Sequence, residues 1–171
     1  MKSLIILLCL CFSIPLFAQD AEQKLKDQKI ELFKPAAPIA NYVKAVRVGN
    51  LIFLAGHGPT KADGTNITGK VGRDLSLELA YMAARQTGIS MLSTLKAELG
   101  DLNKVKRVVK VLGMVNCTDD FTDHPNVING FSDLIVSVFG EKGLHARSAV
   151  GMCSLPSNIA VEVEMIVEVS E

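Results

Sequence analysis

The C-terminal stretch from His145 to Glu171 reads HARSAVGMCSLPSNIAVEVEMIVEVSE. An apolar segment headed by Arg147 runs to the turn at Leu155-Pro156, and a strictly alternating segment follows. Side chains of a β-strand point alternately to opposite faces, so the two segments are predicted to be strands, Arg147–Cys153 and Ile159–Val169. One face of the second strand is apolar. The other carries Ala160, Glu162, Glu164, Ile166 and Glu168.

The rest of the chain supplies the other elements of a sheet covered by helices. Apolar residues alternate in three further segments, and two segments repeat them at three- and four-residue steps. The element order is strand, strand, helix, strand, helix, strand, strand, which predicts an α+β fold with a mixed sheet and both helices on one face. The predicted elements are strands 42–48, 51–55 and 105–116, a helix from Asp74 or Ser76 to Leu99, and a helix over 126–139.

The basic run KVKRVVK, residues 104–110, lies within the predicted strand 105–116. Valines alternate with the charges at the period of a strand, which places Val109 on the same face as Val105 and Val111. No aromatic side chains are interleaved for base stacking. We therefore interpret this run as a solvated strand face and predict no nucleic-acid partner.

Composition favours one aliphatic domain without a strong electric field. Hydrophobic residues make up 49% of the 171 residues, aromatic residues only 5%, and the formal net charge is zero. A neutral chain has no global field that would steer it toward nucleic acid or an acidic membrane. Any preference for an anion must come from a local group, and Arg147 is one candidate.

The N-terminus, MKSLIILLCLCFSIPLFAQD, has the layout of a secretory signal peptide. We expect residues 1–18 to be removed and the mature protein to be exported, periplasmic or secreted, with no membrane attachment. An uncleaved anchor is the alternative. Residues 19–41 form an N-terminal extension with a short helix and a proline-rich connector, and residues 42–171 form the main domain.

No metal or nucleotide motif is present. His57, His124 and His145 are far apart in the sequence, and no HExxH, CxxC, GxxxxGK[ST] or GxSxG pattern occurs. We predict neither a metal nor a cofactor. His57 follows a strand within a Gly-rich loop, so it is either a functional residue or an ordinary loop histidine.

The mature chain keeps two cysteines, Cys117 and Cys153. Two distant cysteines are not a disulfide framework. In an exported protein they either pair or stay as free thiols, and both alternatives stay open.

Arg147 is open to two interpretations. In the structural interpretation it forms an ion pair with a glutamate of the last strand or caps a helix end. In the functional one it binds the carboxylate of a substrate, to which a planar guanidinium offers two parallel donors. Most of the strand glutamates are expected to be solvated or paired, but a four-residue turn can make the last two strands neighbours, which would allow one of them to lie opposite Arg147.

Several segments resemble those of the RidA/YjgF family of reactive-intermediate deaminases and follow one another in the order found in that family. The resemblance is strongest to a longer branch with an N-terminal extension. The resemblance covers residues 37–169. It rests on ARSAVGMCSLPSNIAVEVEMI from Ala146, on APIANYV from Ala37, on GNLIFLAG from Gly49, and on Asp120-Phe121 followed by VINGF from Val127.

This resemblance implies a chorismate-mutase-like fold, a homotrimer with active sites between subunits, and cofactor-free hydrolysis of 2-imino or enamine acids to 2-oxo acids and ammonia. Arg147 falls at the carboxylate-binding arginine and Glu162 at the glutamate that positions or activates water. Ala149 contributes its backbone, where well-known members carry cysteine. The remaining pocket positions are Tyr42, Gly56, Asn129 and His57, the last standing where many members carry glutamine.

Two other functions fit the same residues. A trimer that only binds a small carboxylate would use the same clefts without turnover. Endoribonuclease activity, reported for some relatives, is disfavoured by the neutral charge and the absence of stacking aromatics.

Overall fold

A computed structural model describes residues 20–38 and 40–170; the predicted leader, residues 1–18, lies outside them. The helices are α1 (Ala21–Asp27), α2 (Leu77–Leu99) and α3 (His124–Phe139), and short 3₁₀ turns lie at Leu102–Lys104, Gly140–Gly143 and Pro156–Asn158. The strands are β1 (Ala45–Val48), β2 (Leu51–His57), β3 (Val105–Asn116), β4 (Ala146–Met152) and β5 (Val161–Val169).

The five strands form one sheet in the order β1-β2-β5-β3-β4. All neighbouring pairs are antiparallel except β3 and β4, which are parallel. A parallel pair requires a crossover connection, and α3 is that crossover. Helices α2 and α3 pack against each other and against one face of the sheet. The predicted α+β fold, with a mixed sheet and its two long helices on one face, is confirmed.

The core between helices and sheet is aliphatic, as the composition predicts. From the sheet, Val111 and Val163 are fully buried, and from α3 Phe131 and Ile135 are fully buried against them. Each such side chain stabilises the fold by about 1.5–3 kcal/mol relative to exposure. The opposite face of the sheet has no helix over it among the described residues, and it exposes Phe53 and Val150.

Strand β3 departs from the simple alternation that its sequence predicts. Its pairing with β5 shifts register between Val105 and Arg107 and again between Val108 and Lys110. Val108 is therefore buried, at 2% exposure, whereas Val109 is 37% exposed. The prediction that Val109 shares a face with Val105 and Val111 was wrong, because β-bulges insert extra residues and move side chains to the other face.

The N-terminal extension is packed against the helices. Ala21 and Leu25 of α1 are buried. The Glu22 carboxylate accepts hydrogen bonds from Lys96 Nζ at 2.6 Å and from the Leu102 backbone N–H at 2.9 Å. The extension therefore ties α1 to the C-terminal end of α2. No helix among the described residues is long and apolar enough to cross a membrane.

Cys117 and Cys153 are both free in the structure. Cys117 is buried, with its Sγ 3.3 Å from His124 Nε2, and Cys153 is exposed. The arrangement corresponds to the alternative with two free thiols.

The crossing of α2 and α3 depends on Gly130, and this gives a stability prediction. A Cβ at Gly130 would lie 2.0 Å from the Tyr81 carbonyl oxygen, a backbone atom that cannot move aside. We expect Gly130→Ala to lower the free energy of unfolding by about 1–3 kcal/mol or more, because overpacking forces the helices apart. Urea unfolding followed by circular dichroism, at fixed protein concentration, measures it.

Gly88→Ala is the matched control. Gly88 lies in α2 at the same helix crossing, but a Cβ there would meet the side-chain tip of Leu134, at 2.6 Å, and not backbone. That tip can move, and alanine favours a helix by about 1 kcal/mol over glycine. Equal losses in the two variants would contradict the prediction.

Candidate functional site

Arg147 lies on β4, at one edge of the sheet. It is paired with Val111 of β3, whose side chain is buried beneath the helices, so the guanidinium also lies on the helix-covered face. Its Nη1 donates to Asn129 Oδ1 at 2.9 Å and to Ser132 Oγ at 3.0 Å. Its Nη2 donates to the Pro125 carbonyl oxygen at 3.4 Å. All three acceptors are neutral and belong to α3.

The acceptors converge because of helix periodicity. Asn129 and Ser132 are three residues apart and therefore lie on the same side of α3. A guanidinium can only donate, so the amide oxygen of Asn129 faces it. The amide nitrogen of Asn129 in turn donates to Asn126 Oδ1 at 3.3 Å. The helix thus presents a preformed set of oxygens that holds one side of the guanidinium.

Arg147 makes no ion pair with any described residue. No glutamate among the described residues lies opposite Arg147, so the structural ion pair is not formed there. Strand β3 lies between β4 and β5, so the last two strands are not neighbours. Moreover, Glu162 directly precedes Val163, whose side chain is buried beneath the helices. Adjacent residues of a strand point to opposite faces, so Glu162 lies on the uncovered face of the sheet.

The guanidinium keeps donors for a ligand. Nη1 uses both of its hydrogens on α3, while Nε makes no hydrogen bond to a described residue and Nη2 makes one. Nε and Nη2 lie on the same edge of the planar group, the edge that can bind both oxygens of a carboxylate. Arg147 is half-buried and carries an uncompensated positive charge. These features suit an anion with two parallel acceptors.

Ala149 lies on the same face of β4, two positions beyond Arg147, and is half-buried against the core. Because β4 is the last strand of the sheet, the outer edge of its backbone has no partner strand among the described residues. Backbone groups near Ala149 are therefore available to a neighbouring molecule, as a backbone role requires. We call Arg147, Asn129, Ser132 and Ala149 the arginine cluster.

Glu162 and Gly56 form a second group, which we call the glutamate cluster. A Cβ at Gly56 would lie 2.0 Å from Glu162 Oε1, so the carboxylate occupies the space that glycine leaves open. Burial, and then the charge of Glu164, raise the pKa of Glu162 above its ordinary value. Glu162 accepts no hydrogen bond from the described residues. A carboxylate of this kind can take up and return a proton.

His57 does not belong to either cluster. Its Nδ1 lies 2.6 Å from the Ala55 carbonyl oxygen and its Nε2 lies 2.8 Å from Thr94 Oγ1 of α2. It is 4% exposed, and burial lowers its pKa. Both nitrogens are used inside the protein, where His57 ties β2 to α2; a contact of His57 with substrate stays a prediction.

Tyr42 is also distant from Arg147 within the chain. It is 46% exposed and precedes β1, at the opposite edge of the sheet from β4. One chain thus brings Arg147, Asn129 and Ala149 together, and separately Glu162 and Gly56, but it does not join the two clusters. Sequence reasoning missed Ser132; its spacing of three from Asn129 was the available signal.

Among the described residues, no group of three or more His, Cys, Asp and Glu side chains is arranged to hold a metal ion. The arginine and glutamate clusters themselves offer a guanidinium, a carboxylate and backbone groups.

Comparison with known proteins identifies the class that this fold and these clusters define. The family model described as "YjgF/chorismate_mutase-like, putative endoribonuclease" matches residues 22–169. The chain belongs to the RidA/YjgF family.

Individual relatives agree with this assignment. Protein TCP17 of Trypanosoma cruzi is 44% identical over 142 residues, which covers 82% of this chain and 89% of that protein. A 2-iminobutanoate/2-iminopropanoate deaminase of Dermatophagoides farinae is 28% identical over 131 residues, covering 76% and 87%. The crystal structure of Atu1372 from Agrobacterium tumefaciens, a protein of unknown function, superposes with a TM-score of 0.82 at 42% identity, covering 90% of this chain and 96% of that one.

Proposed function

We propose that this protein hydrolyses reactive 2-imino and enamine acids to 2-oxo acids and ammonia. One observation carries the proposal: the half-buried guanidinium of Arg147 has only neutral acceptors and keeps an edge free for a carboxylate. The named activity of the relative from Dermatophagoides farinae supports the same chemistry. The leader expected at residues 1–18 makes export, to the periplasm or the medium, part of this proposal.

The mechanism needs a clamp and one proton carrier. Arg147 holds the substrate carboxylate and thereby fixes the adjacent C=N carbon. A water molecule adds to the protonated imine carbon while the Glu162 carboxylate takes the proton from that water. The protonated Glu162 then gives its proton to the nitrogen of the tetrahedral adduct. The C–N bond breaks and ammonia leaves, while the hydroxyl of the adduct gives its proton to the Glu162 carboxylate and becomes the carbonyl of the 2-oxo acid. Glu162 then passes that proton to the departing ammonia, which leaves it ionised for the next cycle.

The two clusters meet, in this proposal, between subunits of a homotrimer. Within one chain they lie on opposite faces of the sheet, so a complete site requires a second copy. The uncovered face supports such an assembly, because it exposes large apolar side chains that include Val46, Phe53, Val150 and Met152. Sedimentation velocity tests the trimer, and a monomer that hydrolyses imines would contradict it.

Glu162→Gln is expected to lower kcat for imine hydrolysis by about 10²–10⁴-fold, since that is the usual contribution of a general acid or base. The imine is generated by an amino-acid oxidase with catalase present, and its loss is followed by competition with semicarbazide. Because the pKa of Glu162 is raised, the wild-type rate should fall, with decreasing pH, at a higher pH than an ordinary glutamate would dictate.

Glu164→Gln is the matched control, two residues along the same strand and on the same face. It should keep nearly the full rate, and its acid limb should move to lower pH because the charge of Glu164 no longer raises the pKa of Glu162. Equal losses in the two variants would end the assignment of Glu162.

The assay also separates the alternative functions. Binding of 2-oxobutyrate without any hydrolysis by the wild-type protein would favour a carboxylate-binding trimer. Cleavage of a labelled RNA at about 0.15 M salt, where weak phosphate contacts are screened, would favour the endoribonuclease activity that the family description names.

A further inference from the structure

Arg147 is the first member of a chain of hydrogen bonds that the proposed reaction does not use. Ser132 Oγ, which accepts from Arg147 Nη1 at 3.0 Å, lies 3.1 Å from His145 Nε2. His145 Nδ1 lies 2.6 Å from the Gly143 carbonyl oxygen. This series of hydrogen bonds therefore runs from Arg147 on β4 to Ser132 on α3 and then to His145, two residues before Arg147. It ends at Gly143, in the 3₁₀ turn Gly140–Gly143.

The bonds of this network have one consistent set of directions when His145 is neutral. A carbonyl oxygen only accepts, so His145 Nδ1 carries the hydrogen that it donates to Gly143. Burial, and to a lesser extent the charge of Arg147, lower the pKa of His145, which favours the neutral imidazole with a lone pair on Nε2. Ser132 must then donate its single hydrogen to Nε2, which leaves its lone pairs for Arg147.

We propose that Ser132 and His145 are positioning residues that hold Arg147 so that its Nε and Nη2 edge faces the substrate carboxylate. With Ser132 oriented by His145, both hydrogens of Nη1 are bound, one to Ser132 and one to Asn129. The guanidinium cannot turn without breaking one of these bonds. This inference rests on the proposed function, because it assumes that the free edge binds a carboxylate.

This series of hydrogen bonds also makes carboxylate binding dependent on the charge of His145. A protonated imidazole would place an N–H, in place of a lone pair, opposite Ser132, and the hydroxyl hydrogen would lose its acceptor. The other charged groups around this site are Lys106 and Arg107 of β3 and Glu141 and Lys142 of the turn, which line a hollow with His145. From α3 the facing group is the neutral Ser132, and from β4 it is Arg147.

The decisive measurement is the Kd of 2-oxobutyrate, by calorimetry, alongside KM and kcat for imine hydrolysis. Ser132→Ala is expected to weaken binding and raise KM by about 10–150-fold, the usual value of a hydrogen bond to a charged group. Ser132→Thr keeps the hydroxyl and should restore binding to within about threefold. Ser137→Ala, which removes another α3 hydroxyl that bonds to Gln28, is the matched control and should bind like the wild type.

His145→Gln supplies a second, independent readout. A glutamine oxygen can accept from Ser132 but cannot be protonated near neutral pH. At pH 7.5 this variant should bind 2-oxobutyrate within about threefold of wild type, whereas His145→Leu should resemble Ser132→Ala. As pH falls below 6.5, the wild-type Kd should rise more steeply than that of His145→Gln.

The outcomes separate this inference from the proposed function. Wild-type turnover with unchanged Kd and KM in Ser132→Ala overturns the positioning role alone. Binding without turnover, weakened in Ser132→Ala, supports the positioning role and overturns hydrolysis. A wild-type protein that does not bind 2-oxobutyrate overturns both. Melting temperatures near the wild-type value confirm that each variant is folded.

Discussion

Arg147→Ala is expected to lower kcat/KM for imine hydrolysis by about 10²–10³-fold or more, because removing one partner of a close charge pair costs about 2–5 kcal/mol. The loss has two sources. The substrate carboxylate loses its charged donors, and the imine carbon is no longer held in a fixed position relative to water. The measurement is the oxidase-coupled assay described above, with substrate varied so that KM and kcat separate.

Arg147→Lys should remain almost as impaired as Arg147→Ala. An ammonium is a point charge and cannot donate two parallel hydrogen bonds to one carboxylate while also satisfying Asn129 and Ser132. Arg107→Ala is the control and should keep nearly the wild-type rate. Arg107 is exposed, and its ion pair with Glu168 is long, at 3.7 Å. Wild-type rates in Arg147→Ala would refute the proposed function.

Mixing two inactive variants is expected to restore activity. In this proposal each site combines the arginine cluster of one chain with the glutamate cluster of its neighbour. A trimer reassembled from equal amounts of Arg147→Ala and Glu162→Gln chains would then contain some sites with both residues intact, about a quarter of the total for random assembly in a ring. Activity should rise from near zero toward that fraction of the wild-type rate.

The control is the double variant, Arg147→Ala with Glu162→Gln on one chain, mixed with wild type under the same conditions. Native mass spectrometry establishes that mixed trimers have formed. Mixed trimers with no recovered activity would show that the two clusters do not act together, and the placement of the site between subunits would fail.

Local sequence signals predicted most elements of the fold. The Gly49-Asn50 turn lies between β1 and β2, Ser76 caps α2 through a hydrogen bond to the Leu79 N–H, and Gly100 ends α2 in the left-handed conformation. Strand β3 has the predicted limits, and β5 has the predicted faces. These features depend on residues close together in sequence, where backbone sterics and alternation act directly.

The family resemblance also predicted several residues of the candidate site that lie on different helices and strands. It placed Arg147 and Asn129 in one site, and the structure joins them at 2.9 Å. It also named Gly56 and Glu162 as residues of that site, and the carboxylate of Glu162 fills the space above the glycine. Ser132 and His145 had no such motif, and their hydrogen bond is visible only once α3 lies over β4.

The sequence by itself determined the helices, the strands and the polarity of their faces, because these follow from periodicities of two and 3.6 residues along the chain. Only the tertiary structure decided that β3 separates β4 from β5, that bulges bury Val108 in place of Val109, and that His57 lies in the core. Strand order and register depend on pairing between segments far apart in sequence, where many partners have similar patterns and packing of the whole core selects one.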